Sequence, residues 1–107
     1  MKVVRSNKTV SAQPFPGVTR ETLAHGGQAM LTRNSFAAGA VLAAHAHPHE
    51  QVTYVIAGEL RLTVGDKTLL LKPGDSVCVP PNVAHAAAAE VDTVVLDAFA
   101  PPREDFL

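Results

Sequence analysis

The sequence predicts an all-β chain, and three observations carry that expectation. Apolar and polar residues alternate with period two, the 3.6-residue period of an amphipathic helix is hard to find, and turn-forming pairs separate the alternating stretches. In chain order the first candidate strand is Gln28–Phe36, entered from Gly26-Gly27 and left at Ala38-Gly39. Val41–Ala44 and Val52–Ala57 follow, the latter ending at Gly58-Glu59. Glu59–Val64 alternates most cleanly, Leu60, Leu62 and Val64 against Arg61 and Thr63, and Gly65-Asp66 turns it into Thr68–Leu71 as a hairpin. Pro73-Gly74-Asp75 precedes Ser76–Val79, and Pro80-Pro81-Asn82 precedes Val83–Ala88. The run Ala84–Ala89 favours helix on propensity alone, but the prolines before it and Val91–Val95 after it favour strand. Thr93–Phe99 is the last strand; the tail Pro101–Leu107 cannot extend a central strand, because paired prolines donate no ladder bonds. Many short strands in so small a chain indicate a sandwich or small barrel whose closure protects the edges.

The 107 residues fit a single domain, 1–107. Nine Lys and Arg against ten Asp and Glu leave a net charge of −1 with no basic cluster, which excludes a general nucleic-acid footprint. Hydrophobic residues at 47% and charged residues at 18% allow a core and exclude a disordered chain. No apolar run approaches the roughly 20 residues of a membrane span. Met1–Val10 lacks the apolar core of a secretory signal, so a cytoplasmic location is expected. Cys78 has no partner for a disulfide and reads as a small apolar strand residue.

The histidines are the chemical signal. His45, His47 and His49 crowd into AAHAHPHEQ, and His85 stands in PPNVAHAAA. In a strand, residues i and i+2 share a face, so His45 and His47 can aim two imidazoles at one point inside a barrel, and Gln51 has the same parity. If pairing brings the second segment alongside, His85 joins them. Imidazole suits nickel, zinc, iron, copper and cobalt, so the metal stays open. His49 shares the parity but is bracketed by Pro48 and Glu50, which loop it outward; His25 beside Gly26-Gly27 reads as a turn residue. Glu50 competes with Gln51 as an oxygen donor, but alternation turns it to the opposite face.

The pattern Gly39-x5-His45-x-His47-x3-Gln51-x6-Gly58 resembles the first cupin motif, and Gly74-x5-Pro80-x-Asn82-x2-His85 resembles the second, placing the motifs at 39–58 and 74–89. The resemblance implies a double-stranded jelly-roll barrel holding one divalent transition metal, among nickel, zinc, iron, manganese or cobalt, on His45, His47, Gln51 and His85. Three positions depart from the pattern: Gln51 replaces glutamate, Asn82 replaces glycine, and Ala89 replaces asparagine. Three neutral imidazoles and a neutral amide leave the full charge of a divalent ion uncompensated. Anionic or hydroxyl-bearing ligands are then drawn to its open positions, and Lewis-acid chemistry is favoured over redox oxygenation.

In the last strand Thr93, Val95, Asp97 and Phe99 share one face. A buried Asp97 requires a cation, a metal-bound water or a hydrogen-bond network. Arg103 is a candidate cation for Asp97 or for an acidic substrate. The blander readings place Asp97 at the rim, Arg103 in a solvated tail and Phe99 in the core. The segments LAHGGQAML, HAHPHEQVTYVIAGELRLTVGD and LDAFAPPREDFL are similar to small cupins of pectin and alginate breakdown that linearise 4,5-unsaturated monouronates to open-chain 5-keto-4-deoxyuronate. That resemblance implies a small anionic sugar-acid substrate, with Asp97, Phe99 and Arg103 in its site and 97–107 as the segment that completes it. A non-catalytic metal- or ligand-binding module and a cupin dioxygenase are the competing classes. The family also implies a homodimer; Tyr54 and Ile56, on the face opposite Thr53 and Val55, serve either that contact or core packing.

Overall fold

Alternation resolves into ten strands in the computed structural model, which describes residues 1–107. They are β1 (Val10–Phe15), β2 (Val18–His25), β3 (Met30–Phe36), β4 (Val41–His45), β5 (Glu50–Ala57), β6 (Leu60–Val64), β7 (Lys67–Leu71), β8 (Ser76–Val79), β9 (His85–Ala88) and β10 (Thr93–Ala100), followed by a 3-10 turn at Glu104–Phe106. Antiparallel pairing arranges them as two sheets, β1-β2-β3-β10-β5-β8 and β4-β9-β6-β7. This is the all-β jelly roll expected. Eight strands match the sequence reading to within a few residues at each end; β1 and β2 were not foreseen. No helix is long and apolar enough to cross a membrane.

The inward faces of the two sheets enclose the core. Val18, Phe36, Val55, Val79 and Val95 come from the larger sheet and Leu60, Leu62, Leu71 and Ala87 from the smaller, all buried in one cluster. That face changes character along β5 and β10. In the antiparallel register Val55 lies opposite Val95, Thr53 opposite Asp97 and Gln51 opposite Phe99. The apolar part of one strand therefore meets the apolar part of the other, and their polar parts coincide towards one end of the barrel. The site is built there.

Two turn positions carry backbone constraints. Gly58 has φ 82°, and a Cβ there would fall 2.7 Å from Thr93 Cα, so the close of the first motif requires glycine. Asn82, the departure in the second motif, has φ 63° and donates its backbone N–H to the His47 carbonyl at 2.8 Å. Asparagine is among the few side chains that enter the left-handed region readily, so it does the work of the glycine it replaces. Ala89, the third departure, is a buried core residue.

Several expectations are corrected. Tyr54 and Ile56 are 45% and 44% exposed, with Val52 beside them at 43%, which removes the core-packing reading. Cys78 is in β8 as expected but faces out and is exposed. His25 ends β2, paired with Met30, rather than lying within the turn.

Candidate metal centre and ligand pocket

Strand pairing brings distant histidines together. His45, at the end of β4, is the direct register partner of His85, at the start of β9. His47 lies beyond β4 in the connection to β5, so the strand parity that predicted its direction does not apply; the turn fixed by the Asn82 amide holds it instead. One ring nitrogen from each of His45, His47 and His85 lies within 4.8 Å of the other two, a spacing that could hold a metal ion.

Each ring is oriented by its other nitrogen. His45 Nδ1 donates to the Ala43 carbonyl at 3.0 Å, His47 Nδ1 to the His49 carbonyl at 3.1 Å and His85 Nδ1 to the Val83 carbonyl at 2.9 Å. Anchoring Nδ1–H on a backbone carbonyl leaves the Nε2 lone pair free, the tautomer a metal requires. His85 Nε2 is buried with no hydrogen-bond partner, a costly arrangement unless something accepts its lone pair. Burial pushes the His47 and His85 imidazoles below their usual pKa, which keeps them neutral near pH 7.

Gln51 supplies the oxygen. Its amide nitrogen donates to Thr53 Oγ1 at 3.0 Å and Asp97 Oδ1 at 3.3 Å, and this turns Oε1 towards the histidines, 3.1 Å from His47 Nε2. With His47 Nδ1 holding the proton, Nε2 and Oε1 present facing lone pairs. A cation satisfies both. Glu50 is exposed on the other face, as alternation requires. His49 stands outside the three-histidine cluster but is not looped outward: it is half-buried, its ring centroid 5.4 Å from that of His47, and its Nδ1 is buried without a partner. The donor set therefore fits a divalent transition metal held by His45, His47, His85 and Gln51.

Asp97 finds a hydrogen-bond network and no cation. Thr53 donates to its Oδ1, and Asn34 Nδ2 donates to its Oδ2 at 2.7 Å while also reaching Thr32 Oγ1 at 3.2 Å. Burial nevertheless dominates and pushes its carboxyl up to about 6, with the Thr53, Asn34 and Gln51 hydrogen bonds opposing the rise. The rim reading of Asp97 is thereby corrected: its side chain is inside.

Arg103 does not reach Asp97. It grips Asp105 in a two-point fork, Nε to Oδ1 at 3.1 Å and Nη2 to Oδ2 at 3.0 Å, and its side chain is only 13% exposed, so it is not a solvated tail charge. Phe99 is 4% exposed, packs edge-on against His47 and Phe106, and also walls the pocket. A cavity of about 320 Å³ gathers His45, Gln51, Asp97, Phe99 and Arg103 in one space, together with Arg20 from β2. The seven residues singled out from the sequence thus lie in one neighbourhood.

The sequence model of the family described as "Cupin domain" matches residues 33–99. The chain belongs to the cupin family. Over 93 residues this cupin is 32% identical to the "Pectin degradation protein KdgF" of Dickeya dadantii (strain 3937), covering 85% of the chain and 84% of the relative. A shorter match, 42% over 53 residues, spans 49% of the chain and only 22% of the "H2HPP isomerase" of Bacillus subtilis. Among solved structures, an RmlC-like cupin from Shewanella frigidimarina superposes with a TM-score of 0.93 at 34% identity, covering 100% of this chain and 96% of that one. KdgF from a Halomonas species superposes with a TM-score of 0.92 at 31% identity, covering 100% and 99% respectively.

Sequence reasoning passed over Arg20 and Asn34, and gave no individual site role to Thr53 or to Asp105 and Phe106 within the 97–107 segment. Thr53 and Asn34 hold Asp97, and Arg20, Asp105 and Phe106 form the outer wall of the cavity. The available signal was parity: Val18, Arg20 and Thr22 form one face of β2, but two of the three are polar, so hydrophobic alternation did not mark the strand.

Proposed function

We propose that this cupin converts 4,5-unsaturated monouronates released in pectin or alginate breakdown into open-chain 5-keto-4-deoxyuronate. The observation that carries this reading is the buried Asp97, with its carboxyl near 6, in the same cavity as a neutral three-imidazole, one-amide donor set and a cationic wall. Its similarity to KdgF over most of both chains supports a role in pectin degradation and an enzymatic rather than purely binding cupin.

Ring opening removes the proton of the anomeric hydroxyl, breaks the bond between the anomeric carbon and the ring oxygen, and delivers a proton to C4 of the former double bond. Atoms are conserved, so the reaction is an isomerisation. A bound divalent ion would supply Lewis-acid polarisation of a sugar oxygen. Asp97, poised near neutrality, accepts a proton from one position and returns one at another, the requirement for acid–base catalysis at cellular pH. Thr53 and Asn34 fix its two oxygens so that the carboxyl cannot rotate away. Phe99 walls the cavity against water, and the arginine-bearing end receives the uronate carboxylate.

The test is direct. Metal-loaded protein mixed with freshly generated unsaturated monouronate is expected to speed loss of the ene absorbance over the spontaneous reaction, without oxygen uptake. No acceleration refutes the reading in favour of a binding module; obligatory oxygen uptake refutes it in favour of a dioxygenase. We also propose a homodimer, formed through the apolar outer face of Val52, Tyr54 and Ile56. Sedimentation at the mass of one chain refutes that.

A further inference from the structure

We propose that Arg20 is the primary binding residue for the carboxylate of an anionic sugar ligand, with the Phe106 ring as its platform. The proposal rests on the uronate reading for the identity of the anion, but the binding it asserts is measurable without turnover. Two guanidinium groups line the cavity, and they differ in one respect. Arg103 has its fork filled by Asp105. Arg20 makes no ion pair and no side-chain hydrogen bond, so its donors remain available to a ligand.

Its position is fixed even so. The Arg20 backbone is paired on both sides, with Ala12 of β1 and Asn34 of β3, and its guanidinium carbon stands 3.6 Å from the centroid of Phe106. Arg103 is 4.2 Å from the same centroid, so one aromatic ring carries two cations. A guanidinium stacked on a ring keeps its edge N–H groups in the plane a carboxylate approaches, so little side-chain entropy is lost on binding. Arg20, Arg103 and Asp105 sum to one positive charge at this wall, which one carboxylate neutralises. Partial burial disfavours the Arg20 cation, and Asp105 offsets part of that cost; a second anion would offset more. Asn34, the β3 partner of Arg20, also holds Asp97, so one strand pair spaces the carboxylate-binding end from the acid–base group.

The experiment titrates metal-loaded wild type, Arg20→Gln and Arg20→Lys with D-galacturonate and with D-galactose, which lacks the carboxylate, by calorimetry. Wild type is expected to prefer galacturonate, and Arg20→Gln to lose about tenfold to a hundredfold in galacturonate affinity while binding galactose as wild type does. Arg20→Lys, with charge but no planar fork, is expected between the two. Unchanged galactose affinity and melting temperature establish that Arg20→Gln is folded. Retention of the galacturonate preference in Arg20→Gln, a parallel loss for both sugars, or no preference in wild type overturns the proposal. If Arg20→Gln loses the preference but wild type does not accelerate loss of the unsaturated uronate, the proposed reaction falls and this assignment stands. If turnover is present and the preference survives in Arg20→Gln, only this assignment falls.

Discussion

Asp97→Asn tests the site through stability and chemistry at once. Asparagine has the same shape, and the network can accommodate it: its oxygen still accepts from Thr53 and Gln51, and rotation of the Asn34 amide supplies the acceptor its nitrogen needs. What disappears is the buried charge. An acid raised from 3.8 to about 6 on folding contributes its full stability below 3.8 and loses it as pH climbs through about 6, because the folded state holds the proton more tightly. At about 1.4 kcal/mol for each tenfold in proton affinity, the metal-free wild type loses about 3 kcal/mol across that window and the variant does not. Urea unfolding of both metal-free proteins from pH 3.5 to pH 8, about half a unit apart, measures the difference. His47 and His85, whose depressed pKa values lower stability as pH falls through their usual 6.5, act in the opposite sense but are common to both proteins and cancel. The variant is therefore expected to gain about 3 kcal/mol on wild type between the acid and neutral ends, while metal-loaded turnover drops about a hundredfold or more. A stability difference that is flat with pH refutes the buried-acid argument. Turnover within a few-fold of wild type refutes its role as acid and base.

Three further outcomes follow from the geometry. His85→Ala removes the orphaned buried nitrogen, and metal affinity measured by competition with a chelator is expected to fall by about a hundredfold or more. Stripping the metal lowers the melting temperature; restoring it at 100 times its Kd returns about 2.7 kcal/mol, read as a concentration-dependent shift in a thermal melt. Asn82→Gly is expected to melt at or above wild type, whereas Asn82→Val, a β-branched residue at φ 63°, costs about 1–2 kcal/mol and loosens the turn that holds His47.

The parts of the site legible in the sequence were those whose spacing encodes direction. Strand parity put Gln51 inside and Glu50 outside, and the second histidine segment pairs with the first as expected, His45 beside His85. The same parity gave His47 the right destination for an incomplete reason, since a turn and not a strand aims it. The strands β1 and β2 escaped because β1 is exposed almost throughout and β2 points Arg20 and Thr22 inward, so neither carries an apolar rhythm. The pairing of Arg103 was open to two readings, and a third partner, Asp105, took it: a carboxylate two residues away, in the tight turn at Glu104–Phe106, meets both of its fork nitrogens.

Asp97 sits on a strand bonded to neighbours on both sides, β3 and β5, whereas Arg103, Asp105 and Phe106 belong to the last seven residues, beyond Ala100. The cavity thus joins a strand held by ladders on both sides, which carries Asp97, to an outer wall made partly of Arg20 from β2 and partly of the segment that follows β10. Substitutions in that segment leave the β10 ladders untouched, so the outer wall of the cavity can change shape without disturbing the strand that holds Asp97 in place.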